Sequence, residues 1–114
     1  MYKKYDELPE DIRKFISLFC LEHDRRAKYA PRVVFAQYDD VVFYELKYLQ
    51  YNGYCCEGIG FKTWAYGLDG ERLDWHDENH REKIYWAAKK LEAMNIEERV
   101  KSSVVVPHIK PIFL

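Results

Sequence analysis

This sequence has no excess charge of either sign. Eighteen Lys and Arg stand against nineteen Asp and Glu, for a net charge of -1. A dedicated DNA binder carries a basic excess, because phosphate contacts dominate its affinity. The balance is equally far from the acidic surface of a nucleic-acid mimic. Cysteine is scarce, with only Cys20, Cys55 and Cys56. An odd count, behind an N-terminus reading Met1-Tyr2-Lys3-Lys4-Tyr5-Asp6 with no apolar stretch, argues against an oxidised, secreted chain. The apolar runs are a handful of residues, far short of a membrane span. The expected location is therefore the cytoplasm, or the host cytoplasm for a viral chain, with no membrane partner.

Chemical motifs are missing too. No nucleophile elbow, phosphate loop or dinucleotide fingerprint occurs. Gly58-Ile59-Gly60 is a bare G-x-G that opens no helix; it reads as a close approach of backbone or a bulge. Cys55 and Cys56 are adjacent and point to opposite faces of a strand, so they make poor joint ligands. Repeats, low-complexity tracts and linkers are absent, so residues 1–114 are expected to form a single domain. A chain of this length buries roughly two-thirds of its unfolded surface.

What the sequence has in abundance is aromatic side chains: ten Tyr, six Phe and three Trp, 17% of its 114 residues. Ten tyrosines exceed what a small core readily satisfies, because each buried hydroxyl wants a partner. Some are expected at the surface.

The residue pattern predicts an α+β domain, with an antiparallel sheet of three to four strands and two helices packed on one face. Pro9, Glu10 and Asp11 open a first helix whose apolar face carries Leu8, Ile12, Phe15, Ile16 and Phe19. Arg25, Arg26 and Lys28 lie near its end, before Pro31. A strand from Arg32 to Tyr38 precedes an Asp39-Asp40 turn. Val41 to Tyr51 could be helical, but its Val, Phe and Tyr content and the following Asn52-Gly53 predict a hairpin. With Tyr51 opposite Tyr54, Tyr44 would face Phe61 and Val42 would face Thr63. Gly67 to Gly70 marks a turn, followed by a short strand through Leu73 or Trp75. A last helix from about Asp77 to Met94 buries Ile84, Ala87, Ala88, Leu91 and Met94. Ser103 to Val106 reads as a final short strand, and the apolar tail through Ile112, Phe113 and Leu114 is expected to pack.

The leading functional expectation is a small non-enzymatic interaction module, an inhibitor or adaptor of the kind encoded by phages and mobile elements. Its partner would be another protein, or a second copy of itself, contacted through Tyr48, Leu49, Tyr51, Tyr54 and Trp64 around the hairpin. No cofactor or catalytic residue is expected. A second reading is a metal-dependent hydrolase or nuclease using His76 and His80, which lie four apart, as two ligands on one helix face do. Asp77 stands where a zincin carries Glu, and if Asp77 caps the helix, His76 falls outside it. His108 is the remaining candidate for a third ligand. A third reading is nucleic-acid binding, with Lys47, Lys62, Tyr51, Tyr54 and Trp64 sharing a sheet face. The helix, three-strand, helix order, with Lys83, Ala87, Ala88, Lys89 and Lys90 on a helix like that family's second, resembles a double-stranded RNA-binding domain, and that resemblance implies nucleic-acid binding. Glu82 and Glu92 dilute such a patch, so nucleic acid is not the expected partner.

Overall fold

The computed structural model describes residues 4–19, 32–51 and 56–107. Several expectations fall outside them: the first helix beyond residue 19 with Cys20, the Asn52-Gly53 reversal, Tyr54, Cys55, His108 and the C-terminal tail. The chain is an α+β fold with a four-stranded antiparallel sheet. After a 3-10 turn at Tyr5–Glu7 come α1 (Glu10–Phe19), β1 (Arg32–Tyr38), β2 (Val41–Tyr51) and β3 (Cys56–Gly67). Next are α2 (Glu78–Ala93), α3 (Ile96–Lys101) and β4 (Ser103–Val105), and the strand order is β3-β2-β1-β4. Contacts divide the described residues into two compact units, each assembled from separate stretches of chain.

The unit of residues 1–33, 46–62 and 104–114 is built on α1. The Pro9 carbonyl accepts the first helical bonds, from the Ile12 and Arg13 amides at 3.1 and 3.2 Å. Leu8, Ile12 and Ile16 are buried at spacings of four, one face of a 3.6-residue helix. Phe15 beside that stripe meets the ring of Tyr48 edge to face at 5.4 Å, and the Lys62 ammonium lies 5.8 Å over it. The Tyr48 ring folds onto Gly60: an added Cβ there would lie 2.5 Å from Tyr48 Cζ. Gly60 thus admits an approaching ring, where the sequence suggested backbone or a bulge.

In the unit of residues 34–45 and 63–103, α2 seats Ile84 and Ala87 against Val41 and Ala65, with Phe43 and Leu73 packed on the same cluster. Asp77 caps α2 by accepting the Asn79 amide at 2.9 Å. Of the predicted stripe, Ile84, Ala87 and Leu91 are buried, and Ala88 and Met94 half-buried. The Asp39-Asp40 turn puts Asp39 at φ 55°, a left-handed conformation that a short polar side chain tolerates. Gly70, at φ 87°, closes the turn after β3. Beyond it Tyr66 bridges to Arg72, and the Leu73 amide donates to the Ala65 carbonyl at 2.9 Å.

Two expectations are corrected. The sequence predicted no α3. It is a six-residue helix capped by Asn95, which accepts the Glu98 amide at 2.9 Å. It returns Arg99 to α2, whose Leu91 and Met94 carbonyls accept from the guanidinium, while Glu45 on β2 lies 3.7 Å away. The hairpin register also differs from the expected one, with Lys47 beside Phe61 and Tyr48 beside Gly60. Phe61 is 58% exposed with Lys47 over its ring, and Thr63 is exposed, whereas Trp64 and Tyr66 are buried and Tyr44 meets Tyr66 at 5.8 Å. Tyr44, Leu46 and Tyr48 of β2 therefore share a face with Gly60, Trp64 and Tyr66 of β3, and a shift by an odd number of residues turns a strand over. Both faces of β3 carry apolar residues. Turning Trp64 and Tyr66 inward buries more area than Phe61 and Thr63 would.

Gly60→Ala is expected to cost about 1–3 kcal/mol by forcing the Tyr48 ring off its seat against Phe15. In a Tyr48→Ala background the same substitution should cost little. Urea unfolding of the four proteins in a double-mutant cycle checks this; equal stability of Gly60→Ala and wild type would refute the packing argument.

Candidate functional site

Of the residues expected to form an aromatic docking strip, Trp64 is buried at 4% exposure, a correction that follows from the register offset. Tyr48 is half-buried between Gly60 and Phe15 rather than lifted clear. The side chains of Leu49 and Tyr51, and all of Tyr54, lie outside what the structure describes. Lys47 and Lys62 do not share a face as the nucleic-acid reading required. Lys47 lies over Phe61, and Lys62, the next residue along β3, lies over Phe15.

The exposed aromatic cluster that the structure does describe sits on α2 and the end of β1. Tyr85 and Trp86 follow Ile84 on the helix and point away from the buried stripe. Tyr85 meets Trp86 edge to face at 5.2 Å, and Tyr38 of β1 lies 6.4 Å from Trp86. These rings remain 43%, 44% and 40% exposed for Tyr85, Trp86 and Tyr38. The Lys89 ammonium stands 5.4 Å over the Tyr85 ring, one helical turn on, and 3.3 Å from Glu92. The sequence carried a signal for this cluster. Two adjacent large aromatics on a helix cannot both join a stripe defined by residues 84, 87 and 91.

Charges around the cluster are paired. The Lys83 ammonium binds Asp40 at 2.9 Å and lies 3.5 Å from Asp39, and Lys90 donates to the Gln37 carbonyl at 2.8 Å. The hydrogen bond from Lys83 lowers the pKa of the Asp40 carboxyl, and the same bond raises that of Lys83.

A cleft of about 590 Å³ opens in the same unit. Ala65, Trp64 and Ile84 are its buried lining, with Phe43 and Leu73 half-buried above them. Thr63, Arg72, Asp74 and Trp75 form an exposed rim. The rim is held in place. Asp74 Oδ1 accepts the His76 amide at 2.9 Å, and the Arg81 guanidinium donates to the Trp75 and His76 carbonyls at 3.1 and 3.3 Å.

The metal reading loses its geometry. Because Asp77 is the cap of α2, His76 precedes the helix and the two histidines are not one turn apart on it. His80 instead lies 3.7 Å from Asp77. Among the described residues no group of three or more His, Cys, Asp or Glu side chains could hold a metal ion, and no helix is long and apolar enough to cross a membrane.

A carboxylate whose pKa is depressed on folding contributes stability above its unfolded pKa and loses it as pH falls through the folded value. A lysine whose pKa is raised contributes below its unfolded value and loses it as pH rises through the folded one. Asp40→Asn should therefore show a flatter loss of stability than wild type between about pH 5 and pH 2. Urea midpoints across that range test this, and parallel curves would refute it.

No family model matches this chain, and comparison with curated proteins and with solved structures finds no similar protein.

Proposed function

We propose that this protein is a non-enzymatic interaction module, an inhibitor or adaptor, that docks onto another protein through Tyr38, Tyr85 and Trp86. One observation carries the reading: three rings, with Tyr38 and Tyr85 each packed against Trp86 and each ring about two-fifths exposed, are mounted on a helix and an adjoining strand end. Tyr and Trp supply large contact area at small entropic cost, and such residues dominate the centres of protein interfaces. Their backbone is fixed by the seating of Ile84 and Ala87 on Val41 and Ala65, so little ordering remains to oppose docking. The flanking charges are of both signs, Asp39, Asp40 and Glu92 among Lys83, Lys89 and Lys90. This supports a protein partner with a mixed polar rim over a polyphosphate.

The test is to identify a partner captured on the wild-type chain, purify it and titrate it against variants. Trp86→Ala should weaken binding by about 2 kcal/mol or more, roughly thirtyfold, with the circular dichroism and melting temperature of the free chain unchanged. Tyr85→Ala should act in the same direction. Wild-type affinity in both variants would sink the reading. Light scattering over a concentration series separates a second copy of the chain from a different partner.

A further inference from the structure

The cleft beside α2 is a site of another kind. We infer that it binds a small zwitterion with an aromatic body, of which the aromatic α-amino acids are the simplest members. Its volume of about 590 Å³ lies within the range of pockets that enclose small ligands. That volume exceeds one inserted side chain, and its buried lining residues are apolar while its charged ones are exposed. The floor is apolar, closed by Ala65 and Ile84. Half-buried Phe43 above that floor and exposed Trp75 at the mouth bring aromatic surface to both levels.

The rim decides the charge of the ligand. Arg72 and Asp74 place opposite charges two positions apart on one short stretch of backbone. A simple anion attracted by Arg72 would meet the Asp74 carboxylate, and a simple cation attracted by Asp74 would meet the guanidinium. A neutral ligand carrying both groups satisfies both. An α-amino acid bears its carboxylate, its ammonium and its side chain on a single carbon, so the ring can enter the floor while both charges stay at the rim. A guanidinium has five N–H donors, so Arg72 can hold a carboxylate in addition to its present contacts. Asp74 commits one oxygen, Oδ1, to the His76 amide, which orients the carboxylate and leaves the second oxygen for an ammonium. The stretch itself is pinned on both sides, by the Leu73 amide on the Ala65 carbonyl and by Arg81 on the carbonyls of Trp75 and His76. The site is therefore formed before ligand arrives, which limits the ordering cost of binding.

The inference does not depend on the docking surface. L-phenylalanine, which does not absorb where tryptophan is excited, is titrated into the intact protein, followed by tryptophan fluorescence and calorimetry. Saturable binding is expected, with phenethylamine, 3-phenylpropanoate and L-leucine each weaker by about tenfold or more, since each lacks one of the three recognised groups. Asp74→Asn, whose side-chain oxygen can still accept from His76, should weaken phenylalanine by about tenfold without weakening 3-phenylpropanoate. Trp86→Ala should leave phenylalanine binding unchanged. Three results overturn the inference: no saturable change up to roughly 10 mM phenylalanine, analogues with a single charge binding as well as phenylalanine, or an Asp74→Asn protein that binds phenylalanine like wild type.

Discussion

The seating of Ile84 and Ala87 of α2 on Val41 and Ala65 of the sheet is the contact on which both candidate surfaces depend. A helix turns about 100° per residue, so fixing residues 84, 87 and 91 inward fixes the direction of every other side chain on it. Tyr85 and Trp86 are carried outward by that rotation, and Ile84 is carried to the wall of the cleft. Ala87 lets the helix axis lie close to the strands, and burial of the Ile84 side chain contributes about 1.5–3 kcal/mol to holding it there. The ends of α2 are secured separately. Asp77 satisfies an amide at the first turn, and Arg99 of α3 satisfies carbonyls at the last. A short helix with little buried surface of its own therefore has a clear structural role, as a clamp on its longer neighbour.

Electrostatics here is local rather than a long-range field. Lys83, Lys89 and Lys90 look like a basic stripe in the sequence, yet each meets a carboxylate or a carbonyl within 3.5 Å. Acidic groups lie among them, so charges of both signs stand side by side along α2. Exposed pairs of this type add little to stability. In the proposed interface their effect would fall on specificity, because a partner that mismatches such charges must desolvate them unpaired. A duplex phosphate backbone, uniform in charge, is one such mismatch. This weighs against the RNA-binding resemblance more directly than the net charge does.

The element boundaries were legible because each had its own local chemistry. Asp39-Asp40 ends β1 and starts β2, Gly67 to Gly70 ends β3, and Asp77 caps α2. Each of these depends on backbone conformations or amide partners that few residue types provide. The hairpin register was not legible, because both faces of β3 are apolar enough to be buried and alternation alone cannot choose between them. Packing volume chose, and it sent Trp64 inward and Phe61 outward. The third helix escaped notice because its apolar residues, Ile96 and Val100, are exposed and trace no buried stripe. Its definition comes from the Asn95 cap and from Arg99, which act through hydrogen bonds rather than periodicity. Aromatic abundance promised an exposed cluster but could not say where. Its place followed from α2, whose periodicity excludes Tyr85 and Trp86 from the core.

Two surfaces on one helix need not recognise one thing, and their chemistry separates them. The Tyr38, Tyr85 and Trp86 cluster presents ring faces and edges to solvent, with charges at its margin that already have partners. As the proposed docking surface, it would draw affinity from apolar area and shape, which many sequences could supply. The cleft presents an apolar floor beneath two opposed charges on an anchored stretch, and its affinity depends on the spacing of ionic groups in the ligand.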